Sequence, residues 1–229
     1  MQCGLYGKLP AKRDFIAVGV PRGFLNAWEP WLQSVVSASR AALKDDWEAA
    51  FLKAPIWRFW LGAEHCGEAI IGALMPSTDG IGRYFPLTLV AKADDSAAIP
   101  PPEFATQDNW FSSAEDFLLS ALDENKAFDD LMAALQSLPA PSQTPCEASS
   151  GDTIARSDDV IVIASGDRSV ADIFESIRKT DSDKVYASTT YWWTMGGEEF
   201  APTALCNKRM PDPSLFSAML TGKFSADYL

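Results

Sequence analysis

The spacing of apolar residues predicts several amphipathic helices. Between Pro21 and Leu43 apolar side chains recur every three or four positions, which predicts one long helix with a buried face. Pro21 suits the start of that helix, and Pro30 is expected to kink or restart it. The same kind of spacing predicts further helices at 46–52, 110–123, 126–138, 169–179 and 211–220. Ser112 and Glu115 have the spacing of an N-terminal capping box.

Shorter apolar runs predict strands. The run Ile56–Leu61 is aromatic on both alternating faces, which is typical of an interior strand that is covered on both sides. The other predicted strands lie at 2–7, 69–75, 85–92, 160–164 and 185–193. Because strands and helices do not alternate strictly, the pattern favours an α/β protein of the α+β type. We expect a mixed, largely antiparallel central sheet with helices packed on both faces.

One proline- and serine-rich loop divides the sequence near residues 139–153. The part of the chain after this loop has too few predicted strands to form a sheet of its own. We therefore expect its strands to join the first sheet, so that residues 1–229 form a single compact domain.

The charge of the chain is acidic and unevenly distributed. The net charge is −12, although residues 1–92 carry 10 Lys and Arg against 8 Asp and Glu. An acidic surface repels nucleic acid and anionic lipid, so neither is expected as a partner. It is compatible with a basic protein partner, but simple solubility is the more common reason for such a surface. No apolar run is long enough to cross a bilayer, so no membrane insertion is expected.

The cysteines and the single histidine offer little catalytic chemistry. The four cysteines lie far apart, and no signal peptide is recognised, which favours a reduced, cytoplasmic protein. His65 stands beside Cys66 in a predicted turn, where neighbouring side chains do not converge. There is no G-x-S-x-G elbow, phosphate-binding loop or metal-ligand spacing. Ser165-Gly166-Asp167 precedes a predicted helix, but its carboxylate would repel phosphate. We expect no catalytic residue, cofactor or metal.

Charged residues in turns next to strand ends are the main binding candidates. They are Lys8, Arg13, Asp14, Asp79 and Arg83, with Tyr84 beside the last of them. Arg83 and Asp14 are expected to pair across the fold, since arginine favours bidentate carboxylate contacts. Such a pair either pins the first loop to the sheet or contributes to a partner-binding surface.

The tryptophan pair Trp192-Trp193 adds two more candidates. Neighbouring side chains of a strand point to opposite faces, so one ring is expected in the core and the other at a surface. An exposed tryptophan is a typical hot spot of an interface. The pattern does not decide which of the two is exposed.

Several clusters in this order carry a family resemblance. They are Tyr6-Gly7-Lys8-Leu9-Pro10, Asp14-Phe15, Pro21, Trp28-Glu29-Pro30-Trp31, Pro76-Ser77 with Asp79, Gly82-Arg83-Tyr84-Phe85-Pro86-Leu87, Trp192-Trp193 and a late Met210-Pro211-Asp212. Together they resemble the TagF (ImpM) family of type VI secretion-associated proteins over residues 4 to about 220. The family commonly has glycine where this chain has Arg13. If that position requires a positive φ, Arg13 is expected to carry backbone strain.

The resemblance implies a cytoplasmic, post-translational repressor of type VI secretion. Its expected partner is a scaffold protein with a forkhead-associated domain, linked to a threonine-phosphorylation pathway, and it would act by binding and sequestering this partner. Some relatives are fused to a phosphatase domain. Two alternatives stay open: a small hydrolase or phosphatase-like enzyme that uses Asp14 and Asp79 with a divalent metal, and a structural subunit of the secretion apparatus.

Overall fold

The structure is a computed structural model that describes residues 3–94, 97–145, 153–156, 161–163, 169–197 and 200–224. The strands are β1 (Cys3–Gly7), β2 (Ile16–Val18), β3 (Trp57–Leu61), β4 (Ile70–Met75), β5 (Leu87–Lys92), β6 (Ala97–Ala98), β7 (Thr144–Pro145), β8 (Thr153–Arg156), β9 (Ile161–Ile163), β10 (Thr190–Thr194) and β11 (Thr203–Asn207). The helices are α1 (Arg22–Leu43), α2 (Trp47–Lys53), α3 (Ala63–Cys66), α4 (Asp108–Ser120), α5 (Phe128–Gln136), α6 (Val170–Thr180), α7 (Ser182–Val185) and α8 (Pro213–Thr221), with a 3-10 turn at Lys44–Asp46.

A seven-stranded sheet organises the fold. Its order is β11-β10-β3-β4-β5-β1-β2, and each of these neighbours pairs antiparallel. The aromatic run of β3 is buried along its whole length, as expected for an interior strand. Outside this sheet, β6 pairs with β7 and β8 pairs with β9.

Helices cover both faces of the sheet, which confirms the predicted fold class. On one face, Trp28 of α1 packs against Phe59 of β3 and Trp192 of β10, with ring centroids 4.6 Å and 5.7 Å away. Helices α2 and α8 complete that core. On the other face, α4 lies on β4 and β5, and α5 contacts β1.

Strands from the second half of the chain complete the sheet of the first half. Strand β10 pairs with β3, so that Trp192 lies opposite Phe59, and β11 then forms the edge. The predicted joining of the two halves in one sheet is thus observed. None of the helices in the described residues is both long and apolar enough to span a membrane.

Several predicted boundaries were wrong. Strands β2 and β11 were not predicted, and α1 continues through Pro30 without ending. Residues 182–185 form helix α7, so the late strand begins at Thr190 and not at residue 185. Ser112 lies inside α4, whose first residue is Asp108, so the predicted capping box does not exist.

Some predictions lie partly or wholly outside the described residues. These are residue 2 of the first predicted strand, residues 146–152 of the proline- and serine-rich loop, residues 160 and 164 of the predicted strand at 160–164, Cys146, and the Ser165-Gly166-Asp167 turn.

Candidate partner-binding site

Asp79 is the centre of an ion cluster between two loops. Its side chain is fully buried, and its Oδ2 atom lies 2.8 Å from Nζ of Lys8 and 2.6 Å from Nε of Arg83. Lys8 follows β1, whereas Asp79 and Arg83 lie in the connection between β4 and β5. Because β1 and β5 are neighbours in the sheet, the cluster ties the two loops to one end of the sheet.

The same aspartate also shapes its own loop. Its Oδ1 atom accepts hydrogen bonds from the backbone N–H groups of Ile81, at 3.1 Å, and Arg83, at 2.9 Å. Between them Gly82 takes a φ of +81°, a conformation that favours glycine. A carboxylate with backbone donors two and four residues later is a typical cause of a tight turn. Asp79 therefore fixes the loop that presents Ile81 and Arg83.

Further hydrogen bonds hold the first loop against the second. The Ser77 hydroxyl donates to the backbone carbonyl of Lys8 at 2.8 Å, and the Gly80 N–H donates to that of Lys12 at 2.8 Å. Gly7 at the end of β1 also allows the two segments to lie close together. Its φ is +130°, and a Cβ atom there would lie 2.1 Å from the carbonyl oxygen of Pro86. The two loops thus behave as one ordered unit.

The surroundings of Asp79 favour its charged form. Burial opposes ionisation, but the donors from Lys8, Arg83 and the backbone outweigh it and hold the pKa of Asp79 well below its usual range. Both oxygens of the Asp79 carboxylate already accept hydrogen bonds, and the side chain is not exposed to solvent. It is therefore poorly placed to act as a general base or to bind a metal ion.

The outer side of the two loops is cationic and apolar. We call residues 8–15 and 76–85 the loop surface. They carry four Lys or Arg residues against two Asp residues, a balance of +2 on a protein of net charge −12. Phe15 and Ile81 are 53% and 59% exposed. Phe15 is held by an edge contact with Phe85 at 4.8 Å, and Nζ of Lys8 lies 5.1 Å from its ring centroid.

The expected pairing of Arg83 with Asp14 was wrong. Arg83 binds Asp79, and its Nη2 atom donates to the backbone carbonyl of Arg13 at 2.7 Å, while the Asp14 side chain is exposed. The geometric reason is that Asp79 lies four residues from Arg83 in the same turn. Arg13 does not carry the expected strain, since the described non-glycine residues with positive φ are Lys44 and Gln107.

The remaining candidates lie in different surroundings. Tyr84 is half-buried and packs against Trp47 and Phe51 of α2, with centroid distances of 6.1 Å and 6.0 Å. Trp192 is 0% exposed and belongs to the core. Trp193 is half-buried on the other face of the sheet, in β10, which is not one of the strands that the loop surface connects. The structure therefore groups Lys8, Arg13, Asp14, Asp79 and Arg83 but separates them from the tryptophan pair.

Two residues of the loop surface were not recognised as candidates in the sequence. Phe15 and Ile81 were not among the candidates, although each is a large apolar residue next to charged turn residues. Such a residue in a turn is a usable signal, because a turn offers it little burial.

The late motif at residues 210–212 has a structural role. The carbonyl oxygen of Pro211 accepts a hydrogen bond from the indole of Trp31 at 2.8 Å. Asp212 caps α8 by accepting from the backbone N–H of Ser214 at 2.9 Å.

His65 and Cys66 do not form a reactive pair. They lie in the one-turn helix α3, where Nε2 of His65 is hydrogen-bonded with the backbone carbonyl of Ser188 at 2.9 Å. Burial, with a smaller contribution from Glu68, raises the pKa of the Cys66 thiol to about 12. Within the described residues, no three His, Cys, Asp or Glu side chains converge as a metal site would require.

Comparison with known proteins identifies the family. Residues 4–138 match the model of the TagF N-terminal domain, which is described as type VI secretion system-associated. The fold is similar to the crystal structure of PA0076 from Pseudomonas aeruginosa PAO1, with a TM-score of 0.79 and 28% identity over 98% of this chain and 96% of that one. No curated protein matches the sequence. Since the domain model covers more than half of its length, this chain belongs to the TagF family of type VI secretion-associated proteins.

Proposed function

We propose that this protein is a cytoplasmic, non-enzymatic negative regulator of type VI secretion. It acts after translation by binding and sequestering a scaffold component that carries a forkhead-associated domain. Membership of the TagF family supports the link to secretion. Binding without turnover is supported by the surroundings of Asp79, whose carboxylate is buried and paired with Lys8 and Arg83. An enzyme based on Asp14 and Asp79 would need that carboxylate to be free.

One observation carries the choice of binding surface. The Lys8–Asp79–Arg83 cluster orders two loops that together expose Phe15 and Ile81 beside the side chains of Arg13 and Arg83. Exposed apolar side chains next to arginine are typical of interface centres. Their rigid support reduces the entropy that binding would otherwise cost.

The test is direct binding of the purified scaffold from the same secretion system. Arg13→Glu and Ile81→Asp change exposed side chains and leave the backbone contact to Arg83 in place. We expect each to weaken binding by about tenfold or more, since each introduces a misplaced charge into the interface. The matched control is Arg22→Glu, a charge reversal at an exposed position at the start of α1.

A cell-based readout separates regulation from mere binding. Overproduction of the wild type should suppress type VI secretion, whereas overproduction of Ile81→Asp at the same level should not. Equal binding of the scaffold by the wild type, Arg13→Glu, Ile81→Asp and the control Arg22→Glu would reject the loop surface as the interface. Suppression by a variant that does not bind the scaffold would reject sequestration as the mechanism.

A further inference from the structure

Strand β11 is an edge of the sheet without the usual protection. In the described part of the chain, β11 pairs with β10 on one side and with no strand on the other. Its five residues contain no proline, charge or bulge, the features that normally protect an edge. The other edge, β2, has three residues. Strand β11 therefore presents the longer row of free backbone donors and acceptors.

An apolar groove lies directly beside this edge. Helices α4 and α5 pack mainly on β4, β5 and β1, and in the described part of the chain the face of β11 that carries Ala204 and Cys206 is exposed. The groove encloses about 350 Å³ and is lined by Pro102, Tyr191, Trp193, Met195, Ala204 and Asp108. Met195 is 62% exposed. An apolar side chain placed here from outside would be removed from water.

Trp193 differs from the other tryptophans in its hydrogen bonding. Six others donate their indole N–H to an acceptor within the protein, and Trp110 is hydrogen-bonded with Cys3. Among the described residues Trp193 has no such acceptor. Its ring packs edge-on against Phe111 at 4.9 Å and borders the groove. A half-buried tryptophan with a free donor is suited to an interface.

One carboxylate gives the groove a charge preference. Asp108 is 73% exposed and lies 3.8 Å from Nη1 of Arg58. Arg58 is already neutralised by Glu115, which binds it through two oxygens at 2.6 Å and 3.0 Å. Asp108 is therefore the surplus charge at this end of the groove. A basic side chain is the complementary group.

We propose that β11 and this groove form a second docking surface, which takes an extended segment of a partner protein as an added antiparallel or parallel strand. Alternate side chains of that segment face the groove, an apolar one against Trp193 and Met195 and a basic one near Asp108. The proposal does not depend on the loop surface, because the loops of that surface connect β1 with β2 and β4 with β5, and none of their residues lines the groove.

The probe for the test is the synthetic peptide acetyl-Thr-Ile-Thr-Val-Thr-Arg-Thr-amide, added to the full-length protein at roughly 1 mM, where weak strand addition is measurable. The readouts are amide hydrogen exchange of residues 203–207 and the fluorescence of the protein. We expect slower exchange in β11 and a changed tryptophan signal. A peptide with Glu in place of Arg should bind several-fold more weakly. A peptide that is N-methylated at alternate residues should not bind.

Two variants separate this surface from the rest of the protein. Ala204→Arg places a cation on an exposed residue of β11, and Ala17→Arg places the same group on an exposed residue of the opposite edge, β2. The first should abolish peptide binding, and the second should leave it unchanged. Asp108→Asn should remove the preference for the Arg peptide over the Glu peptide.

Three results would overturn the proposal. The first is no change in β11 exchange at any peptide concentration, and the second is equal binding of the N-methylated peptide. The third is concentration-dependent dimerisation of the protein in sedimentation that Ala204→Arg abolishes, because a second copy of the chain would then occupy the edge.

Discussion

The ammonium group of Lys8 lies 2.8 Å from the carboxylate of Asp79, and the two side chains are 7% and 0% exposed. The residues are 71 positions apart in the sequence. Their ion pair is therefore a long-range link that joins the end of β1 to the connection between β4 and β5. Removal of Asp79 would leave the buried ammonium group of Lys8 without its counterion, whereas removal of Lys8 would leave Asp79 paired with Arg83 alone.

Asp79→Ala should lower the free energy of unfolding by about 3–5 kcal/mol, because it leaves Lys8 buried and unpaired and removes the acceptor of two backbone N–H groups. Urea unfolding followed by circular dichroism measures this loss. Asp14→Asn, at an exposed position, is the control and should change stability by less than about 0.5 kcal/mol. Equal losses in the two variants would contradict a structural role for the cluster.

The stability that Asp79 contributes should depend on acid pH. Because its pKa is lowered in the folded state, the contribution is fully present above the pKa of the unfolded chain, about 3.9, and is lost as the pH falls towards the folded pKa. The difference in unfolding free energy between the wild type and Asp79→Asn should therefore be the same at about pH 7 and pH 5 and shrink below about pH 4. A difference that does not change with pH would show that folding does not lower the pKa of Asp79.

Arg83→Ala should give a folded protein that captures its scaffold partner poorly. The Arg83 side chain is 56% exposed, and Asp79 keeps Lys8 as counterion, so the loss of stability should stay within about 1 kcal/mol. Capture should fall because the contact to the Arg13 carbonyl, which holds the first loop, is lost. Pull-down of the scaffold, with melting curves in parallel, measures both effects. Full capture by the folded variant would exclude Arg83 from binding, and unfolding would assign it a structural role.

The ion pair between Arg58 and Glu115 links an interior strand to a helix. Glu115→Ala should lower the unfolding free energy by about 3 kcal/mol, because Arg58 is only 5% exposed and would lose its bidentate partner. The double change Arg58→Met with Glu115→Leu should recover most of that loss, since it removes both charges. A double variant no more stable than Glu115→Ala would show that the pair itself supplies net stability.

Gly72, in the middle of β4, leaves no room for a side chain. A Cβ atom there would lie 2.2 Å from the ring of Phe59 and 2.6 Å from the carbonyl oxygen of Leu89. Gly72→Ala should therefore cost about 1–3 kcal/mol through overpacking, measured by chemical denaturation. The control is Gly197→Ala, where a Cβ atom would have no neighbour within 4 Å among the described residues. A neutral Gly72→Ala would show that the sheet relaxes more easily than this packing implies.

The sequence predicted the elements that are buried and strongly patterned. The aromatic run of β3 and the apolar face of α1 were both recognised, because burial imposes a clear spacing of large side chains. Strand β11 was missed because it lies at an edge, where alternate residues are exposed and Leu205 is the one large apolar residue. Residues 203–207 form a strand because they pair with β10, and the local sequence does not indicate such long-range pairing.

The sequence indicated which residues belong to the candidate site but not how their side chains pair. The charged turn residues were found, yet Arg83 was paired with Asp14 and not with Asp79. A sequence does not show which of two nearby carboxylates is buried, and here the backbone of the turn places Asp79 inward and leaves Asp14 exposed. The role of Lys8 likewise depends on the adjacency of β1 and β5, a long-range property of the sheet.

The pairing of β10 with β3 also affects how the protein is made. Strand β3 ends at Leu61, and its partner begins at Thr190, roughly 130 residues later. During translation the ribosome therefore releases β3, β4 and β5 long before β10 emerges from the exit tunnel. Until then one side of β3 lacks its partner, and Phe59 and Trp28 lack the ring of Trp192. The nascent chain thus exposes an aromatic strand edge for much of its synthesis, and an unpaired apolar edge of this kind favours aggregation until its partner strand arrives.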